Sequence, residues 1–298
     1  MNRHLAAFDF DGFIARTFDD SPNGMNVNVA SRKAVLDVFG EKGLMAYESI
    51  GGLQGREPGE LVKAIQKVLG NDGSEDLASQ FVDAKLSYLV PEISPEWPKL
   101  NPGMAEFNQS VKNKEIPIDL AVVSSGHDAF ISRVLEINGI NAILVTSDIL
   151  RKREVEGKFK PNPYQLAEAH RQWQRGKLDG QLFSFGIPNQ FVGRQQNKQN
   201  ILYGGDDPGK DGAMAEASRV VFVFMPFTHD GFSPKAEKGQ LYLSDFHALR
   251  KILIRQTKEL EDGASFVEAF FGKGDWEIFH QVPEEERPWA RMMRERSV

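Results

Sequence analysis

Four short stretches of this chain carry side chains that could do chemistry together. The first is Phe8-Asp9-Phe10-Asp11-Gly12, where two carboxylates flank a single residue. Gly12 permits the turn that would bring both acids to one ligand. The second is Ala121-Val122-Val123-Ser124-Ser125-Gly126, an apolar run that ends in hydroxyls ahead of a helical segment. Backbone N–H groups at a helix start, together with a serine hydroxyl, suit a phosphate oxygen. The third is Lys158-Phe159-Lys160-Pro161-Asn162-Pro163, in which Lys160 stands before a helix and could balance anionic charge. The fourth is Gly204-Gly205-Asp206-Asp207-Pro208-Gly209-Lys210-Asp211. Its three carboxylates are hard oxygen donors of the kind that hold Mg²⁺ or Ca²⁺. Each stretch alone admits a plainer reading: solvated carboxylates at a strand end, a serine capping a helix, a surface lysine, an acidic turn capping a helix.

These residues need elements to position them. Leu5 to Phe8 is a short apolar run that stops at Asp9 and reads as a buried strand. Ile118–Val123, Ala142–Val145, Asn200–Tyr203 and Val220–Phe224 read likewise, and helical patterns separate them at Asp128–Asn138, Pro161–Trp173 and Asp211–Ser218. Such alternation predicts an α/β fold, a Rossmann-like parallel sheet with helices on both faces. Ligands of such sheets sit beyond the carboxyl ends of the strands, where every one of the acids above falls. Between the first and second stretches the pattern is purely helical. Ala30–Phe39, Pro58–Leu69 and Ser74–Leu89 each show one apolar face, and prolines at 91, 95, 98 and 102 mark a connection. The expected organisation is therefore residues 1–14 and 100–225 as the core, and 15–99 as a smaller all-helical domain. Residues 226–298 form a helical extension. Its helix Ser244–Leu260 and its many aromatics predict packing on the core or on a second copy of the chain, a homodimer. Residues 176–199 read as a long polar excursion.

Composition narrows the class. The 298 residues are 41% hydrophobic and carry a formal net charge of −6, which argues against a general nucleic-acid binder. There is no cysteine, so disulfides, thiolate chemistry and cysteine-based zinc sites are excluded. No apolar stretch of signal-peptide or membrane-spanning length occurs in the sequence, and the expected location is cytoplasmic.

Taken together and in this order, the four stretches resemble the signature of the haloacid dehalogenase (HAD) superfamily. That pattern has an Asp-x-Asp after the first strand, a Ser or Thr after the second, a Lys before a helix, and a Gly-Asp acidic motif after a later strand. Leu100-Asn101-Pro102-Gly103-Met104 is similar to the family's lead into its second motif. The resemblance covers residues 5–25 and 100–225, and covers the helical segment in type only. Phe13 stands where the family usually has Thr.

The resemblance implies a Mg²⁺-dependent phosphohydrolase acting on a small phosphorylated metabolite. Asp9 would be the nucleophile that forms an aspartyl-phosphate, and Asp11 the general acid and then base. Ser124 and Lys160 would hold the phosphoryl oxygens, helped by Ser125 and Gly126. Asp9, Asp206 and the backbone carbonyl of Asp11 would bind Mg²⁺, with Asp207 and Asp211 ligating it or orienting its ligands. Asp11 favours phosphoryl transfer over dehalogenation, because an alcohol leaving group needs a proton and a halide does not. The helical segment corresponds to the family's cap, and Arg56 in Gly52-Leu53-Gln54-Gly55-Arg56-Glu57 to a substrate-contacting position. Two other readings stand beside this one: a phosphomutase of the same superfamily, and a catalytically weak binding protein that kept the fold.

Overall fold

The computed structural model describes residues 3–52, 58–71, 75–151, 160–179, 200–226, 235–237 and 240–271. The chain divides into two compact units. One comprises Met1–Ala15, Leu100–Gly126 and Ile140–Val298; the other comprises Arg16–Lys99 and His127–Gly139.

The first unit is built on a seven-stranded sheet. Its strands are β1 (His4–Phe8), β2 (Ile118–Ser124), β3 (Ile143–Thr146), β4 (Ile201–Gly205), β5 (Val221–Phe224), β6 (Lys235–Glu237) and β7 (Gln240–Tyr242), in the order β3-β2-β1-β4-β5-β7-β6. All pairs are parallel except β6 against β7. The core is thus the α/β, Rossmann-like sheet that the alternating pattern predicts. β6 and β7 escape sequence reading because three residues each give no periodicity to detect.

Side chains two apart point to the same side of a sheet. Leu5, Ala7, Ala121, Val123, Ile143, Val145, Ile201, Tyr203, Phe222 and Phe224 line one face. They pack with Leu166, Ala169 and Trp173 of α7 (Tyr164–Asp179) and with Met214 and Ala215 of α8 (Ala213–Ser218). On the opposite face Phe8 meets Phe107 of α4 (Met104–Lys112) and Phe246 of α9 (Phe246–Arg255), with ring centroids 5.8 and 5.5 Å apart. The tail helix expected over 244–260 is two helices. Asp245 caps α9 by accepting from the Ala248 N–H, and a break at Gln256 precedes α10 (Thr257–Glu261).

The second unit is all helical among the described residues. It comprises α1 (Val27–Ser49), α2 (Pro58–Leu69), α3 (Glu75–Leu89) and α5 (Asp128–Ile137), the helix that follows β2. Val35, Tyr47, Leu61, Val62, Ile65 and Phe81 form its core. α1 runs past its expected end at Phe39, with a kink at Gly40, whose φ of 66° suits glycine. No described helix is long and apolar enough to cross a membrane.

Candidate active site

The site is assembled on the sheet face that α7 covers. Asp9 follows β1 directly, and its N–H donates to the Gly204 carbonyl at 2.8 Å, one step beyond the Phe8–Gly204 pair. Alternation puts Asp9 on the side of Leu5 and Ala7. Lys160, ahead of α7, reaches the same side. Its Nζ donates to Asp9 Oδ1 at 2.6 Å and to Asp211 Oδ1 at 2.8 Å. The pairing is buried: Lys160 is 3% exposed, Asp211 2% and Asp9 14%.

Asp211 arrives there by a tight turn. β4 ends in Gly205, and a π-helical turn over Pro208–Gly212 follows. Asp207 caps that turn, its Oδ1 accepting from the N–H groups of Gly209 at 2.8 Å and Lys210 at 3.1 Å. The Asp207 carbonyl accepts from the Asp211 N–H at 2.8 Å, which folds Asp211 back onto the strand end. Gly205 is needed there, because a Cβ at that position would lie 2.2 Å from Asp211 Oδ2. Tyr203, two residues back on β4, donates its hydroxyl to Asp211 Oδ1 at 2.8 Å. Asp206 joins from the same strand end. One carboxylate oxygen each of Asp9, Asp206 and Asp211 lies within 4.8 Å of the others.

This much buried negative charge has consequences. Two like charges about 4 Å apart repel by about 4 kcal/mol at an effective dielectric near 20. Burial pushes the Asp9 carboxyl up to about 7; Lys160 opposes this, while Asp211 and Asp11 add to it. Burial, then Asp9 and Asp211, push Asp206 up to about 9. Burial alone would pull the Lys160 ammonium down, but Asp211 and Asp9 outweigh it and hold it charged. Burial, with Asp211 and Asp9 beside it, keeps Tyr203 well above the usual phenol range, so its hydroxyl remains a donor. Among the described residues one lysine faces three carboxylates, an imbalance of charge that a divalent cation would offset. Oxygens around an octahedral Mg²⁺ at about 2.1 Å stand roughly 3–4 Å apart, a spacing this set can meet.

The turn after Asp9 is held separately. Gly12 has φ +77°, and a Cβ there would lie 2.3 Å from Asp206 Oδ2, so glycine both makes the turn and admits the acid. Asn101 fastens the turn, donating from Nδ2 to the carbonyls of Gly12 at 2.7 Å and Phe13 at 2.6 Å. Phe13 is fully buried, its ring 5.3 Å from Phe8 and 5.2 Å from Phe246. Apolar packing thus fixes this position.

Of the residues singled out in the sequence, Asp9, Lys160, Asp206 and Asp211 come into one cluster. Asp11 lies close enough for its charge to raise Asp9. Asp207 is turned toward the backbone it caps. Ser124 is buried at the end of β2. Its Oγ accepts from the Gly126 N–H at 2.9 Å, which engages that N–H and leaves the serine O–H able to donate. Ser125 is half-buried beside them. Arg56 lies outside the described residues. Sequence reading gave no role to Tyr203, to the Asn101 side chain, or to Gln165, whose Nε2 donates to the Ser124 carbonyl at 3.2 Å. Only Asn101, in its Leu-Asn-Pro-Gly setting, left a trace.

No family profile matches the chain, and no curated protein matches it. Solved structures do. CbbY from Rhodobacter sphaeroides in complex with phosphate is 16% identical, with a TM-score of 0.48 over 84% of this chain and 96% of that one. A hydrolase from Pseudomonas syringae is 16% identical, with a TM-score of 0.47 over 88% and 100%. A haloacid dehalogenase-like family hydrolase from Xanthomonas campestris is 10% identical, with a TM-score of 0.46 over 88% and 99%.

Proposed function

We propose that this protein is a Mg²⁺-dependent HAD-type phosphohydrolase that cleaves a small phosphomonoester through an aspartyl-phosphate on Asp9. One observation carries the reading. Lys160 bridges Asp9 and Asp211 while Asp206 shares their cluster, so residues from three distant segments converge at the carboxyl ends of parallel strands.

An Asp9 oxygen attacks phosphorus and the ester P–O bond breaks. Asp11 gives its proton to the departing alcohol oxygen. Asp11 then takes a proton from a water that attacks the phosphoaspartate, which releases inorganic phosphate and restores Asp9. Lys160 opposes the rise that burial imposes on Asp9 and offers positive charge to the phosphoryl oxygens. Asp9, Asp206 and Asp211 would hold Mg²⁺, with Asp207 shaping the turn. Mg²⁺ supplies charge neutralisation for an anionic substrate meeting several carboxylates. Ser124, Ser125 and Gly126 are assigned to phosphoryl oxygens on the resemblance; the Ser124 O–H can donate as it stands, whereas the Gly126 N–H must first leave Ser124 Oγ. Arg56 and the helical segment 15–99, as a cap, are assigned to substrate choice on the same basis. The molecule is read as a cytoplasmic enzyme with no nucleic-acid or membrane partner.

The test is release of inorganic phosphate from an aryl phosphate and from a panel of phosphorylated metabolites, with Mg²⁺ and with excess chelator. Mg²⁺-dependent turnover of at least one phosphomonoester is expected. Full activity in chelator refutes the metal requirement. Consumption of a sugar phosphate without phosphate release points to the mutase instead.

A further inference from the structure

We propose that Tyr203 is a positioning residue for the metal-binding carboxylates, its hydroxyl fixing Asp211 so that one oxygen is spoken for and the other stays open. The proposal rests on the Mg²⁺ reading above. A carboxylate oxygen has two in-plane lone pairs. Asp211 Oδ1 already has two donors, the Tyr203 hydroxyl at 2.8 Å and the Lys160 ammonium at 2.8 Å. Among the described residues Oδ2 has one, the Asp207 N–H at a long 3.2 Å. Oδ2 is therefore the oxygen with capacity left for a cation.

The ring does a second job. Lys160 Nζ lies 5.5 Å from the Tyr203 ring centroid, over the electron-rich face. Tyr203 thus touches both members of the Lys160–Asp211 pair, one through its hydroxyl and one through its face. It is itself held rigidly, fully buried in β4 and stacked on Phe222 with centroids 6.4 Å apart. A buried phenol must find a partner for its O–H, and Asp211 is that partner. Phenylalanine would serve the packing equally well. The hydroxyl is the part of this side chain that only the site requires.

Tyr203→Phe separates the two roles, because it keeps the ring and removes the oxygen. The measurement is calorimetric titration of the whole metal-free chain with magnesium chloride, beside its melting temperature. Loss of a partner that orients a metal ligand weakens metal affinity by about tenfold or more. The expected result is a tenfold higher Mg²⁺ dissociation constant with a metal-free melting temperature close to wild type. Phe107→Leu, in the core on the other face of the sheet, should lower the melting temperature and leave Mg²⁺ binding unchanged. In an Asp211→Ala background, which removes the oxygen that the hydroxyl holds, adding Tyr203→Phe should change Mg²⁺ affinity by less than about twofold, since residues acting through one another are not additive. Wild-type Mg²⁺ affinity in Tyr203→Phe, additive losses in the double variant, or a Tyr203→Phe chain that does not fold each overturns the inference and leaves the phosphohydrolase reading intact. A wild type that binds no Mg²⁺ overturns the metal reading and the inference with it.

Discussion

Asp9 and Asp206 sit in one cluster yet answer to different substitutions. Asp9→Asn is nearly isosteric, but the amide cannot attack phosphorus. The turnover number should fall by roughly three or more orders of magnitude while the fold persists, a loss of the size seen when a nucleophile is removed. Near-wild-type phosphate release in that variant would sink the assignment of Asp9. The glycine before Phe13 offers a sharper test of packing. Gly12→Ala and Gly24→Ala both put a side chain on left-handed backbone, at φ +77° and +74°, which costs about 1–2 kcal/mol. Only at Gly12 does the new methyl also strike an acid, Asp206 Oδ2, while at Gly24 nothing lies within 4 Å. Both variants should melt at lower temperature, but only Gly12→Ala should lose Mg²⁺ affinity. Equal Mg²⁺ titrations for the two would mean that Asp206 is free to move aside.

The turn after β4 is the element on which the site depends most, and Asp207 is its brace. Asp207→Asn keeps an oxygen that can accept from Gly209 and Lys210, and should leave activity within about threefold of wild type. Asp207→Ala removes the cap, at about 1 kcal/mol, and frees the turn that carries Asp211. Activity should then fall with the alanine and not with the asparagine; the reverse order, with asparagine as damaging as alanine, would make Asp207 a ligand in its own right. The sequence announced much of this architecture, because buried parallel strands are unbroken apolar runs and the acids interrupt them at their ends. β1, β2, β3, β4 and β5 lie within a residue or two of where those runs predict them. It was silent on β6 and β7, too short to carry a period, and on the second half of α1, where the apolar residues Leu44, Met45, Ala46 and Tyr47 stand in one run and show no helical spacing. The Tyr203–Asp211 bond was hidden for another reason. It depends on the π-helical turn, and no local propensity specifies that a residue eight positions later will fold back onto the strand.

Across the whole molecule the raised carboxyls tie stability to pH. Asp9 and Asp206 bind a proton more tightly folded than unfolded, at about 7 and about 9 against an ordinary 3.8. Between 3.8 and those values the native state holds more protons, so this pair's contribution to stability is complete below 3.8 and drains away as pH rises. A cation that replaces the protons reverses the trend. The rise in melting temperature on adding Mg²⁺ should therefore be larger at pH near 9 than at pH near 6, and a rise independent of pH would contradict proton–metal exchange at this cluster. The strand order has a consequence of its own, in time. β1 lies mid-sheet, between β2 and β4, and β4 begins only at Ile201. On a ribosome adding about 5–20 residues per second, Asp9 leaves the exit tunnel roughly 10–40 s before the strand that must flank it. For that interval a nascent chain shows an apolar strand with at least one edge unclaimed, a template for pairing with another chain, and a product that ends short of Asp211 lacks the Lys160–Asp211 bridge.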